Sequence, residues 1–108
     1  MSRPRPRAGF AALWEFTVRA AHVDAFRQAY GPNGVWVALF LQAPEYCQTE
    51  LCADPANPLR FVTIDRWTLR AAYKAFRTQQ RDAYAEIDRA CEHFTESERL
   101  LGEFDIVG

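Results

Sequence analysis

Asp65 is the side chain in this sequence that ordinary packing explains least. In Phe61-Val62-Thr63-Ile64-Asp65-Arg66-Trp67 it alternates with Phe61, Thr63 and Trp67 on one face of a strand. A carboxylate in that company is costly unless it is paired. An ion pair with an arginine from a helix or from a second copy of the chain is the first expectation. A general base with a raised pKa is the second. Trp67 and Tyr73 add an indole N–H and a phenol, both of which need partners when buried. Thr63 places a hydroxyl on the Asp65 face. Trp14, Trp36, Phe40 and Phe76 supply aromatic surface. Their spacing fits a plain hydrophobic core as well as the wall of a pocket.

Other chemistries find little support. Cys47, Cys52 and Cys91 are an odd set without a C-x-x-C pair, and with His22 and His93 they assemble no zinc spacing. They read as reduced thiols of a cytoplasmic protein. The formal net charge of −1 argues against a nucleic-acid binder working through bulk charge. The longest apolar run, Val35 to Leu41, is far short of the ~20 residues a bilayer requires. The first nine residues carry Arg3, Arg5 and Arg7 between prolines and read as a flexible basic tail, with no apolar stretch of secretory type behind it. Without them the body holds ten basic and fourteen acidic residues.

The elements that must position these side chains follow from periodicity. Phe10 to Arg19 alternates strictly, with Phe10, Ala12, Trp14, Phe16 and Val18 on one face, and reads as a strand. His22 to Tyr30 switches to helical spacing and ends at Gly31-Pro32-Asn33-Gly34. Val35 to Gln42 is a second short helix, apolar nearly all round. Glu45 to Ala53 and Arg60 to Trp67 are strands joined by the turn Asp54-Pro55-Ala56-Asn57-Pro58. Helical spacing resumes at Leu69 and shifts phase near Gln79 to Asp82, so one bent helix or two are expected. Leu100 to Val107 is read as a last short strand.

The order strand, helix, strand, strand, helix, strand predicts a single α+β domain over residues 10–108, a ferredoxin-like βαββαβ fold. Its four-stranded antiparallel sheet carries helices on one face. The first and third strands bear large apolar residues on both faces, and the chain holds eight Phe, four Tyr and three Trp. One copy is too small to cover both faces of its sheet. A homodimer is therefore expected, forming a dimeric α+β barrel.

Several segments resemble the antibiotic biosynthesis monooxygenase (ABM) family. These are Phe61 to Trp67 followed by Leu69 to Phe76, the leading Trp14-Glu15-Phe16 strand with its Val23-x-x-Phe26 helix, and Ala43-Pro44-Glu45-Tyr46 before the second strand. The resemblance runs from Phe10 to Val107. It implies a homodimeric barrel with a pocket between sheet and helices, and in some members oxygenation of aromatic phenols by O2 without flavin, metal or other cofactor. Trp67 and Tyr73 match aromatic positions of the quinone-forming members. Thr63 stands where those members carry Asn, and a hydroxyl cannot copy an amide's paired donor and acceptor.

The implied site has Thr63, Asp65, Trp67 and Tyr73 as catalytic candidates. Trp14, Trp36, Phe40, Phe76 and Arg81 would hold a small aromatic substrate. The alternative is a non-catalytic dimeric module of the same fold. A haem-handling role is less favoured, because the first strand lacks the Asn of the haem-degrading members and position 77 is Arg where they carry His.

Overall fold

The computed structural model describes residues 6–108, so Arg3 and Arg5 of the basic tail lie outside it. The chain folds as β1 (Phe10–Val18), α1 (Val23–Tyr30), α2 (Val35–Phe40), β2 (Tyr46–Asp54), β3 (Asn57–Trp67), α3 (Arg70–Gln79), α4 (Arg81–Cys91) and β4 (Thr95–Asp105). Short 3-10 turns, Ala20–His22 and Glu92–Phe94, lead into α1 and out of α4. The four strands form one antiparallel sheet in the order β2-β3-β1-β4, with the helices on one face. This is the ferredoxin-like α+β arrangement.

Three boundaries differ from expectation. The hairpin turn is shorter than its composition suggests. Asp54 and Asn57 accept the N–H groups of Ala56 and Leu59, which lets β3 start at Asn57. The long helical stretch is two helices, broken at Gln80, whose φ of −104° and ψ of 23° lie outside helical values. The last strand begins at Thr95 rather than Leu100. Its first residues are polar because β4 is an edge strand whose outer half faces solvent.

Register decides which side chains meet. Phe10, Ala12, Trp14 and Phe16 of β1 stand opposite Trp67, Asp65, Thr63 and Phe61 of β3, all on the helix-covered face. There they join Phe26, Tyr30, Trp36, Phe40, Tyr73 and Phe76 in the buried core. Strand β2 is irregular. Tyr46 pairs with Trp67 and Gln48 with the next residue, Arg66, so Cys47 is an extra residue in the ladder. The bulge brings Tyr46 and Thr49 to the same face.

Gly34 sets the corner between α1 and α2. A Cβ there would collide with the carbonyl oxygens of Ala29 and Gln28. On the far face of the sheet, Ile64 stands beside Leu13, Val62 beside Glu15, and Phe104 beside Ala11. Phe104 remains 53% exposed. Ion pairs of Glu15 with Arg60 and Arg99, and of Glu50 with Arg66, border this apolar strip. No helix among the described residues is long and apolar enough to cross a membrane.

Candidate functional site

Between the sheet and the helices lies a cavity of about 90 Å³. Trp14, Thr63 and Asp65 form its floor on β1 and β3, with Thr49 beside them on β2. Trp36 and Phe40 of α2, Tyr73 and Arg77 of α3 and Tyr84 of α4 close over it. Asp88 and Glu98, partly open to solvent and partly covered, complete the acidic lining at its mouth.

Asp65 is buried at 7% exposure, and no arginine pairs with it among the described residues. The ion pair expected for it is replaced by a hydroxyl. Thr49 Oγ1 donates to Asp65 Oδ1 at 2.7 Å, and Tyr46 Oη donates to Thr49 Oγ1 at 2.7 Å. The direction of this chain is set by donor count. Thr49 has one proton, and because Tyr46 fills its acceptor side, that proton goes to Asp65. Burial nevertheless pushes the Asp65 carboxyl up to about 6, against the pull of Thr49 and of the positive Arg77. A carboxylate with a pKa in that range is suited to taking a proton near neutral pH.

In the same cavity, Arg77 Nη1 donates to Tyr73 Oη at 3.0 Å. The guanidinium carbon of Arg77 lies 5.9 Å from the Trp14 ring centre, 5.6 Å from Tyr73 and 5.4 Å from Tyr84. Three aromatic faces thus hold one cation in place. Burial pushes the Tyr73 phenol above its ordinary value while Arg77 pulls it down. Burial likewise raises Tyr84 and the mouth residues Asp88 and Glu98, and Asp88 raises Glu98 further.

Six of the nine side chains singled out from sequence line this cavity: Trp14, Trp36, Phe40, Thr63, Asp65 and Tyr73. Trp67 does not. It is wholly buried behind Tyr73, in ring contact with Phe40, Tyr46 and Phe76, and its indole N–H finds no partner among the described residues. Phe76 packs in the core and backs onto a separate surface groove edged by Gln42 and Gln79. Arg81 starts α4 in solvent, so the cation of the cavity is Arg77. Sequence reasoning missed Arg77 and Thr49. The spacing Tyr73 to Arg77 is one helical turn and carried the first signal. The bulge at Cys47 hid the second.

The fold and site define a ferredoxin-like α+β protein with an aromatic-walled, mixed-charge cavity between sheet and helices. No family model matches the chain, and no curated protein sequence matches it. Solved structures do. A cofactor-independent oxygenase from Streptomyces nogalater, SnoaB, is similar at 17% identity with a TM-score of 0.69, over 94% of this chain and 96% of that one. A candidate antibiotic biosynthesis monooxygenase from Deinococcus radiodurans is similar at 14% identity and TM-score 0.71, over 92% and 93%. PA3566 from Pseudomonas aeruginosa gives 14% identity and TM-score 0.65 over 94% and 97%. The chain therefore has the fold of the antibiotic biosynthesis monooxygenase proteins. At these identities the likeness is one of fold.

Proposed function

We propose that this chain binds a phenolic or quinol-type aromatic in the cavity and oxygenates it with O2, using electrons from the substrate and no bound cofactor. The observation that carries the reading is one cavity holding both a hydrogen-bonded buried carboxylate and a phenol–guanidinium pair within aromatic walls. In the proposed step Asp65 takes the acidic proton of the substrate, and the resulting anion reduces O2. The substrate loses two hydrogens and gains one oxygen atom, and the second oxygen atom leaves as water. Tyr73 hydrogen-bonds the substrate oxygen. Trp14, Trp36 and Phe40 exclude water from the ring. Thr63 offers a hydroxyl at the floor, and Trp67 supports Tyr73 from behind.

Two further expectations belong to this reading. The working unit is a homodimer closed across the far sheet face, where Leu13, Val62, Ile64 and Phe104 need cover. The compartment is the reducing cytoplasm, which suits three free thiols.

Oxygen uptake with anthrone-type phenols and single-ring quinols, read by an oxygen electrode and by mass of the product, tests the proposal. Turnover that falls at least tenfold in Asp65→Asn and Tyr73→Phe supports it. No uptake with any of these substrates sinks it. A second reading, a ligand-binding module without catalysis, is favoured by one observation. Thr63 offers a single hydroxyl where the oxygenases that the chain resembles use an amide. Aromatic binding without oxygen uptake is its expected result.

A further inference from the structure

The cavity is small. At about 90 Å³ it falls well below the roughly 300–1,000 Å³ of sites for drug-sized ligands. It is closer to the about 150 Å³ cavity known to admit benzene. The space is of the order of a single ring, and a fused three-ring system exceeds it.

The polar groups around that space are arranged by sign. Arg19, Arg60, Arg66, Arg70 and Arg99 each pair with a carboxylate. Arg77 has no such pair among the described residues and is held by rings instead. Among the described residues its hydrogen bond goes to the oxygen of Tyr73, which leaves the Tyr73 proton available to a ligand and strengthens it as a donor. Two donors, one of them charged, therefore share one wall. The acceptor Asp65 lines the same cavity, close enough that its proton affinity feels Arg77.

The mouth has the other sign. Asp88 comes from α4 and Glu98 from β4, and both line the cavity where it meets solvent. These two carboxylates disfavour a permanently ionised anion and offset part of the Arg77 charge. A neutral acid is not disfavoured in this way. The phenols of Tyr30 and Tyr84, which complete the titratable lining, are pushed upward by burial and stay neutral.

We propose that Arg77 and Tyr73 form an oxyanion seat for a single-ring phenol that enters neutral and gives its hydroxyl proton to Asp65. The O–H bond of the phenol breaks, an O–H bond forms on Asp65, and the electron pair stays on the phenolate oxygen facing the seat. This selects weakly acidic single-ring phenols over benzoates, over aryl ethers and over polycyclic phenols. It rests on the cavity being the ligand site, and it does not require that oxygen react there.

Anaerobic titration with 4-nitrophenol tests it, because the phenolate form is yellow and the phenol is not. The wild-type chain is expected to bind it as phenolate at a pH where free ligand is mostly neutral, and to bind 4-nitroanisole, benzoate and anthrone at least tenfold more weakly. Arg77→Met should weaken nitrophenol binding by about tenfold to a hundredfold, the range of a charge-assisted hydrogen bond. Arg77→Lys should recover part of the loss and all of the yellow band, which separates loss of the seat from misfolding. Arg89→Met, on the exposed side of α4, should change nothing. Absence of nitrophenol binding, binding in the colourless form, equal binding of nitroanisole, or an Arg77→Met variant as tight as wild type each overturns the proposal. Phenolate binding without aerobic oxygen uptake would leave the seat standing and remove the oxygenase reading. Oxygen uptake with an unaltered Arg77→Met affinity would do the reverse.

Discussion

Asp65 is held where its charge is expensive. Its carboxyl is raised from 3.8 to about 6, a cost of about 3 kcal/mol to the folded state when ionised. Between these values the folded chain keeps a proton that the unfolded chain has lost. Stability therefore falls as pH rises through about 4 to 6 and levels off above. Asp65→Asn should remove this dependence. Urea unfolding should find the variant more stable than wild type by roughly 1–3 kcal/mol at neutral pH, with the difference vanishing near about pH 4. A variant less stable at neutral pH would mean that the carboxylate is a structural group. At Thr49 the expectation is opposite in sign. Thr49→Val keeps the shape but takes the one identified donor from Asp65. It should cost about 1–3 kcal/mol in urea at neutral pH. Asp65 was legible in the sequence as an anomaly because strand alternation places it among apolar residues. What satisfies it was not legible, because the answer depends on a bulge in another strand.

The elements themselves were legible wherever burial imposed a period. Strand β1 and the core-facing half of β3 alternate because one face is packed, and α1 and α3 show their stripes for the same reason. Strand β4 was legible only from Leu100 onward, since Thr95 to Arg99 pair by backbone at the sheet edge and leave no apolar record. The break at Gln80 surfaced in sequence only as a phase shift. Yet it lets α3 present Tyr73 and Arg77 while α4 presents Tyr84 to the same cavity. The corner at Gly34 does comparable work for Trp36, which lies two residues further on. Gly34→Ala must push α2 away from the Ala29 carbonyl. It should lower stability by roughly 2 kcal/mol or more in thermal or urea melts. It should also weaken aromatic binding, as the wall carrying Trp36 and Phe40 moves.

For the whole molecule, the aromatic surplus divides between two destinations. Most of it fills the core and the cavity wall, and Phe104 alone among the phenylalanines is exposed at the far sheet face. Light scattering after size exclusion is expected to give about twice 12.4 kDa. Ile64→Lys, central in the apolar strip and directed away from the cavity, should shift the chain towards monomer while its far-UV circular dichroism stays unchanged. A monomeric wild-type chain at high micromolar concentration would remove the dimer from the reading.

The extra residue at Cys47 makes strand β2 a site of phase. Ahead of it Tyr46 is committed to the core, and behind it Thr49 and Leu51 are committed to the same side. Loss of Cys47 itself would only restore a plain ladder, with Tyr46, Gln48 and Thr49 opposite Trp67, Arg66 and Asp65 as before. Loss of one residue between Thr49 and Leu51 would instead act as a frameshift in space: these two side chains would fall on opposite faces, and either the Asp65 carboxyl would lose its hydroxyl or Leu51 would leave the core. Related chains that keep a carboxylate at the Asp65 position should thus tolerate deletion at Cys47 far better than deletion at Glu50.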